Sequence, residues 1–176
     1  MPDTNITKSA LARAMKKLMK EKDFQKISVT DICESCGMNR KSFYYHFKDK
    51  YDLMNWIFYT DFVTMITREE IGNGWDLMKS VIRMFYNDIT FYKAAMKTEG
   101  QNSFREYFRE SMLPIVIFTF GDAIEERNIS DTMIDIVCDT CLSASQMWLE
   151  HGCRETPEDF VDGIKRLVLI IAKTID

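Results

Sequence analysis

The stretch of sequence that decides the fold covers residues 26–50 and reads KISVTDICESCGMNRKSFYYHFKDK. Ser28 and Thr30 are both good N-caps in front of a short apolar pattern. The apolar residues that follow have the spacing of one helix face: Val29, Ile32 and Cys33. Gly37 comes next, and glycine alone takes a positive φ at low cost after a helix. The stretch therefore predicts a short helix that ends in a tight turn.

A second short helix is predicted over residues 40–47, with Asn39 as its cap. Phe43 and Phe47 are four residues apart, so both can point inward and dock this helix. The remaining side chains face outward and are basic, polar or aromatic: Arg40, Lys41, Ser42, Tyr44, Tyr45 and His46. Exposed aromatic rings among bases and hydroxyls suit contacts with the phosphates and base edges of DNA. Two short helices joined in this way are typical of a helix-turn-helix.

Residues 27–50 resemble the DNA-binding signature of the TetR family of transcriptional regulators. The usual form of that signature is a small hydrophobe and a Thr, an Ile-Ala pair, then Ala-Gly-Val-Ser and a Phe-Tyr-x-His-Phe ending. The likeness covers residues 8–55. Cys33 and Cys36 stand where the family usually has alanines, and Lys41 stands where a small residue is common. The resemblance implies a three-helix DNA-binding domain followed by a helical domain for ligand binding and dimerisation.

Nine residues are candidate DNA contacts, and the expected partner is double-stranded DNA with a palindromic operator. Thr30 lies at a helix N-terminus, where its hydroxyl and backbone amide can hold a phosphate. Tyr44, His46 and Lys50 are expected to contact phosphates. The candidates for base edges are Asn39, Arg40, Lys41, Ser42 and Tyr45. The alternative is a structural helical hairpin with a solvated basic face.

The charge of the chain is distributed unevenly along its 176 residues. Residues 1–55 carry 11 Lys and Arg against 7 Asp and Glu, a net charge of +4. Residues 56–176 carry 12 against 20, a net charge of −8. This asymmetry suits a protein that touches DNA with its amino-terminal part only.

The fold class predicted from the whole sequence is all-α. Only 3 prolines and 7 glycines are present, and no alternating strand pattern persists. Helical periods predict about nine helices, with a DNA-binding domain over residues 1–50 and a regulatory and dimerisation domain over residues 51–176. Residues 75–98 read as one helix or as two with a break at 87–90. Pro114 is expected to kink its helix or to mark a junction in it.

The regulatory part is dense in Phe, Tyr and Met. Core packing explains most of these residues, but methionine repacks easily, so some of them can line an adaptable ligand cavity. The polar tips that such a cavity would use are Tyr86, Tyr92, Tyr107, Gln146 and Trp148. The expected effector is a small molecule or a protein.

The last two predicted helices carry apolar stripes that suit a homodimer. The stripe residues keep a spacing of three to four: Ile134, Val137, Cys141, Phe160, Ile164, Leu167, Val168 and Ile171. Pairing of two such helices with their twins would make a four-helix bundle. The alternative is that they close the core of the monomer. The resemblance favours the dimer, because TetR-family proteins pair in this way.

No metal, cofactor or catalytic activity is expected. Cys33 and Cys36 form one CxxC pair, and Cys138 and Cys141 form another, but both pairs fall inside helical patterns where cysteine acts as a small hydrophobe. The sequence has no nucleophile elbow, phosphate loop or metal-ligand spacing. No apolar run long enough to span a membrane and no apolar leader are visible, so we expect a cytoplasmic protein without a membrane partner.

A second likeness concerns the branch of the TetR family that contains the dihydroxyacetone kinase activator. It is carried by residues 43–58, by Phe91-Tyr92, and by residues 100–104 and 148–152. In that activator the C-terminal domain binds a partner protein that carries the ligand. The sequence therefore predicts a repressor released by an effector, with an activator controlled by a partner protein as the alternative. A third possibility is a helical protein-interaction module without DNA binding.

Overall fold

The computed structural model describes residues 4–100, 102–126 and 129–175. In these ranges the chain forms nine α-helices and one 3₁₀ turn, Phe24–Lys26, and no strand. The helices are α1 (Thr4–Glu21), α2 (Val29–Ser35), α3 (Arg40–His46), α4 (Lys50–Ile66), α5 (Gly74–Asn87), α6 (Ile89–Ala95), α7 (Phe104–Glu126), α8 (Asp131–Glu150) and α9 (Pro157–Ile175). The all-α prediction is confirmed. None of these helices combines the length and the apolar character that a membrane span requires.

The helix-turn-helix is held by side chains that cap its two helices. Ser28 is the cap of α2: its hydroxyl accepts from the Asp31 amide at 3.1 Å, and the Asp31 carboxylate accepts from the Ser28 amide at 2.7 Å. This reciprocal pair is a capping box. Gly37 has a φ of 67°, and the Met38 amide donates to the Cys33 carbonyl at 2.9 Å to close the turn. The Asn39 side chain then accepts from the Ser42 amide at 2.8 Å and starts α3.

The chain divides into two compact units, and the first holds the residues up to Asp61 together with Thr90–Tyr107. Its core contains fully buried side chains from six helices: Leu11, Met15, Ile32, Phe43, Leu53, Met54, Tyr92 and Phe104. One carboxylate oxygen of Asp61 accepts from the Tyr92 hydroxyl at 2.8 Å and from the Lys16 ammonium at 3.0 Å. These bonds join α1, α4 and α6 within the first unit, and the domain boundary at residue 50 stays a prediction.

The second unit holds Phe62–Ile89 and the chain from Phe108 onward. In it α5 packs along α9. The charged edge of this contact carries two ion pairs, Arg83 to Glu158 at 2.6 Å and Lys79 to Asp162 at 2.8 Å. Arg83 also lies 3.4 Å from Glu69. The two helices are thus joined by apolar packing inside and by charge pairs at the surface.

Two details of the helices answer open questions from the sequence. α5 and α6 are separate helices with a break at Asp88, so the prediction of two shorter helices is confirmed. Pro114 lies inside α7, which continues as a single element of 23 residues, so it does not mark a junction between helices, and the alternative of a kink stays a prediction. A proline removes only one backbone hydrogen bond from such a long helix.

Candidate nucleic-acid interface

α3 presents the outward face that its sequence predicts. Phe43 and Phe47 are buried, whereas the Tyr45 side chain is 80% exposed and Tyr44 is half exposed. Arg40 and Lys41 are exposed at the start of the same helix. Burying the two phenylalanines fixes the rotation of α3 about its axis, and this rotation leaves the tyrosines and the basic side chains accessible.

Arg40 and Tyr44 contact each other one helical turn apart. The Arg40 guanidinium carbon lies 5.8 Å from the Tyr44 ring centroid, and its Nη2 lies 3.5 Å from the Tyr44 hydroxyl. The hydrogen bond to Tyr44 raises the pKa of Arg40. The pair therefore keeps a fixed positive charge and a phenol together on the exposed face, where a phosphate or a guanine can receive them.

Asn39 and Ser42 use part of their hydrogen-bonding capacity inside the protein. Asn39 Oδ1 accepts from both the amide and the hydroxyl of Ser42, at 2.8 and 3.2 Å. The Asn39 amide nitrogen is then the group that a base edge could receive as a donor. Both residues hold the start of α3 in place, and their base contacts stay a prediction.

His46 is half-buried at the end of α3 and lies close to a cation that the sequence did not single out. Burial lowers the pKa of His46, and the charge of Lys8 lowers it further. The Lys8 ammonium, on α1, lies 5.6 Å from the ring centroids of Phe47 and Trp56. Lys8 is 38 positions before His46 in the chain, so only the packing of α1 against the helix-turn-helix reveals this contribution to the basic surface.

Lys50 does not present its charge at the surface in the way the sequence predicts. Its ammonium group donates to three backbone carbonyls, those of Phe24 at 2.8 Å, Gln25 at 3.2 Å and Ile27 at 2.8 Å. Burial lowers the pKa of this group. An ammonium has three N–H donors, and all three are occupied, so this geometry does not support a phosphate contact by Lys50.

Thr30 is exposed in the first turn of α2, two residues after the Ser28 cap. A hydroxyl in this position lies among the free amides of a helix N-terminus, which attract anions. Asp31, which follows it, is paired with Lys22 of α1 at 3.2 Å. A phosphate contact by Thr30 agrees with this geometry and stays a prediction.

The capping box predicts a pH dependence for the helix-turn-helix. The pKa of Asp31 is lowered from 3.8 to about 2, first by the Ser28 hydroxyl, then by the Ser28 amide and Lys22. A carboxyl with a lowered pKa stabilises the fold above its ordinary pKa and loses this contribution as the pH falls through the folded value. We expect the difference in unfolding free energy between the unaltered protein and Asp31→Asn to shrink between pH 4 and pH 2. An NMR titration of the carboxyl checks this, and an Asp31 pKa of about 3.8 or higher would contradict it.

The second unit contains a small apolar cavity of about 20 Å³. It is lined by Met78, Val81, Ile82, Phe108, Met112, Ile115, Cys141, Ser145, Phe160, Val161 and Ile164. This space holds about one water molecule. Three of its lining residues, Cys141, Phe160 and Ile164, were predicted on the dimer surface. These three half-buried side chains meet α5 and α7 around the cavity, and their part in a dimer stays a prediction.

The five residues predicted to bind a ligand are divided between the two units. Tyr92 and Tyr107 belong to the first unit, and the other three belong to the second. Trp148 is buried and donates from Nε1 to the Glu155 carbonyl at 3.2 Å, with the Tyr86 ring 6.2 Å away. Gln146 donates to Glu150 at 3.2 Å. None of the five lines the cavity.

Exposed apolar side chains mark another face of α8 and α9. Leu167 is 57% exposed and Ile170 is 62% exposed. On α8 the exposed apolar residues are Met133, Ile136 and Met147. The predicted residues Ile134, Val137 and Val168 are half-buried beside this face, and the Ile171 side chain lies outside the described residues. Among the stripe residues whose side chains the structure describes, only Leu167 is fully part of the exposed face.

The cysteines are all reduced thiols. Burial raises the pKa of Cys33, Cys36 and Cys138, and it raises the pKa of Cys141 to about 11. Within the part of the chain that the structure describes, no group of three or more His, Cys, Asp or Glu side chains is placed to hold a metal. These thiols pack as small apolar groups.

Two family profiles match the chain. The profile of bacterial regulatory proteins of the tetR family matches residues 11–56, and a transcriptional regulator C-terminal region matches residues 74–169. The HTH-type dhaKLM operon transcriptional activator DhaS of Lactococcus lactis subsp. lactis (strain IL1403) is 30% identical over 120 residues. This match covers 67% of the chain and 64% of the relative, less than two thirds of that relative's length.

Solved structures show the same fold. The dihydroxyacetone kinase operon activator DhaS superposes with a TM-score of 0.67 at 22% identity, covering 96% of this chain and 97% of that one. A TetR transcriptional regulator from Streptococcus agalactiae 2603V superposes with a TM-score of 0.71 at 18% identity, covering 94% of each chain. The profiles span both the helix-turn-helix and most of the second unit. The chain therefore belongs to the TetR family of bacterial transcriptional regulators, and its amino-terminal helices are the DNA-binding domain.

Proposed function

We propose that the protein is a homodimer that binds a palindromic operator with α3 of each protomer and responds to an effector bound in its second unit. The observation that carries this proposal is the face of α3, where Arg40, Lys41, Tyr44 and Tyr45 are exposed over two buried phenylalanines. Exposed aromatic rings beside basic groups and hydroxyls suit contacts with phosphates and base edges. Because the proposed partner is double-stranded DNA, we propose that the protein acts in the cytoplasm.

The dimer is proposed on the exposed apolar face of α8 and α9. Leu167, Ile170 and Ile136 would be buried against their copies in a twofold interface, as in a four-helix bundle. Two DNA-binding domains related by a twofold axis read the two halves of a palindrome. The apolar face of α8 and α9 would thus set the spacing of the two α3 helices on the DNA.

The effector is proposed to enter the cavity of the second unit. The cavity lies between α5, α7, α8 and α9, and its lining of Met, Ile, Val and Phe favours an apolar molecule or an apolar part of one. Methionine side chains repack easily, so the cavity can enlarge. An effector changes DNA affinity only by its different affinities for the two conformations of the protein.

The sign that we propose is repression relieved by the effector, which is the general behaviour of this family. A second candidate is activation. It is favoured by the 30% identity to the relative from Lactococcus lactis, whose name describes an activator. Transcription from a promoter with the operator, compared with and without the gene, separates the two: loss of the gene raises expression under repression and lowers it under activation.

Substitutions on α3 test the DNA-binding role. The DNA duplex for these measurements is first selected from a random-sequence library by its binding to the unaltered protein. Arg40→Ala should weaken binding to it by about 1–3 kcal/mol and relax the preference at one base pair, because a lost bidentate contact to guanine has this cost. Tyr44→Phe should weaken binding to all sequences alike, because phosphate contacts carry no sequence information.

The matched control for Arg40→Ala is Arg154→Ala. It removes the same side chain from an exposed position in the second unit and should leave DNA affinity unchanged. Fluorescence anisotropy with the selected duplex measures all three variants. Unchanged affinity in both α3 variants would contradict the assignment of this face to DNA.

A further inference from the structure

We propose that Lys50 is a positioning residue for DNA binding: its ammonium group joins the two ends of the helix-turn-helix and so fixes the placement of α3, instead of neutralising a phosphate. The inference rests on the proposed binding of DNA by α3. It assigns to Lys50 a role different from the one that its basic character suggests.

Three backbone carbonyls converge on the Lys50 ammonium. The 3₁₀ turn Phe24–Lys26 closes with the bonds from the Lys26 amide to the Asp23 carbonyl at 2.9 Å and from the Ile27 amide to the Phe24 carbonyl at 3.0 Å. The end of such a turn points its carbonyls one way and carries partial negative charge. The Lys50 ammonium lies at that end, within 2.8–3.2 Å of three oxygens.

The surroundings of the Lys50 ammonium also suit a cation. The Lys50 nitrogen lies 4.4 Å from the Phe24 ring centroid and 5.9 Å from that of Tyr51. The two rings meet edge to face with their centroids 5.0 Å apart. Aromatic faces attract an ammonium and exclude water from it. The three carbonyls therefore occupy the N–H donors of this half-buried ammonium, and a phosphate could bond to it only by displacing one of them.

These contacts connect the two ends of the helix-turn-helix. Ile27 directly precedes Ser28, the cap of α2, and Lys50 is the first residue of α4, shortly after the end of α3. The bond from Lys50 to the Ile27 carbonyl, across 23 positions, thus closes residues 27–50 into a ring that contains the whole helix-turn-helix. Loosening this bond frees both ends of the ring. The exposed face of α3 then samples more orientations, and productive contact with DNA costs more entropy.

Two substitutions at position 50 separate positioning from a phosphate contact. Lys50→Met keeps the packing of the aliphatic stem and removes the three donors. Lys50→Arg keeps the positive charge, but its planar fork cannot direct N–H groups at three oxygens around one nitrogen. We expect both variants to bind the selected duplex about tenfold more weakly or worse at every salt concentration, with the salt slope unchanged. A phosphate contact predicts instead that Lys50→Met lowers the slope by about 0.9 and that Lys50→Arg keeps both affinity and slope.

A second readout separates positioning from a general loss of stability and needs no DNA. Amide hydrogen exchange in the full-length variants should quicken about tenfold at Ile27, Asp31 and Ile32, which bond within the connector and the cap, and stay unchanged in α1. Lys48→Met is the control, because Lys48 is exposed two positions earlier. It should leave the exchange of these three amides unchanged.

The possible outcomes decide the inference. The positioning role would be overturned by a salt slope that falls only in Lys50→Met, or by DNA affinity within about twofold of the unaltered protein in both variants. It would also be overturned by hydrogen exchange that quickens by the same factor throughout the first unit. Should Lys50→Met fail to fold, Lys50→Arg carries both measurements. If the unaltered protein selects no duplex, the proposed function fails, while the exchange pattern still decides whether Lys50 fixes the connector.

Discussion

Leu167→Glu should convert the protein to a monomer and lower its affinity for operator DNA by about a hundredfold or more. Leu167 is 57% exposed on α9 beside Ile170, in the face that we propose as the dimer interface. A twofold interface would bring two copies of the new carboxylate together in an apolar contact, and burying such charges without partners is costly. Without the dimer each DNA-binding domain binds alone, and linked sites typically contribute a factor of 10²–10⁴.

The control for this prediction is Lys165→Glu on the same helix. The Lys165 ammonium lies 5.7 Å from the Trp75 ring centroid, on the side of α9 that faces α5. This variant introduces the same residue away from the apolar face and should remain a dimer with only a small loss of stability. Size-exclusion chromatography with light scattering and DNA titration measure both proteins. A monodisperse Leu167→Glu dimer with full DNA affinity would show that the interface lies elsewhere.

Gly74→Ala should lower the free energy of unfolding by about 2 kcal/mol, although alanine is the better helix former. Gly74 is the buried first residue of α5, and a Cβ atom there would lie 2.5 Å from the Thr119 Cα of α7. Because the obstacle is backbone, it cannot turn aside as a flexible side chain could. The two helices must separate, and the aromatic contact between Trp75 and Phe120, at 5.3 Å, is lost with them.

Gly121→Ala is the matched control: among the described residues, and apart from the chain neighbours and the backbone of its own helix, no atom lies within 4 Å of the Cβ it would add to α7. There the substitution should stabilise the protein by about 0.5–1 kcal/mol, because alanine loses less conformational freedom in a helix. Chemical denaturation of the three proteins under one condition measures both effects. Equal stabilisation by the two alanines would contradict the close approach of α5 and α7.

The local features of the DNA-binding domain could be predicted from sequence because neighbouring residues determine them. The spacing of Phe43 and Phe47, the glycine at 37 and the cap at Asn39 each act within a few positions. Even the choice between Ser28 and Thr30 as the cap of α2 depends on one local interaction, the reciprocal bonds between Ser28 and Asp31. The outward face of α3 follows from these elements.

The remaining features depend on contacts between distant parts of the chain. A basic residue such as Lys50 looks like a phosphate ligand until the carbonyls of the 3₁₀ turn appear beside it. The hydrogen bond from Tyr92 to Asp61 joins α6 to α4 across 31 positions, and no local sequence pattern predicts it. A helical stripe likewise shows that Phe160 and Ile164 share a face, but it does not show which neighbour covers that face.

If the proposed effector binds in the cavity of the second unit, the small volume of that cavity limits how fast it can bind. A drug-sized molecule needs a pocket of about 300 Å³ or more, whereas this cavity measures about 20 Å³. Side chains such as Met78 and Met112 must rearrange before an effector of that size can be enclosed. The open state is then a minor population, and the observed affinity and association rate fall in proportion to that population. At high effector concentration the lag before transcription changes becomes constant, because it measures the opening of the protein and no longer the arrival of the ligand.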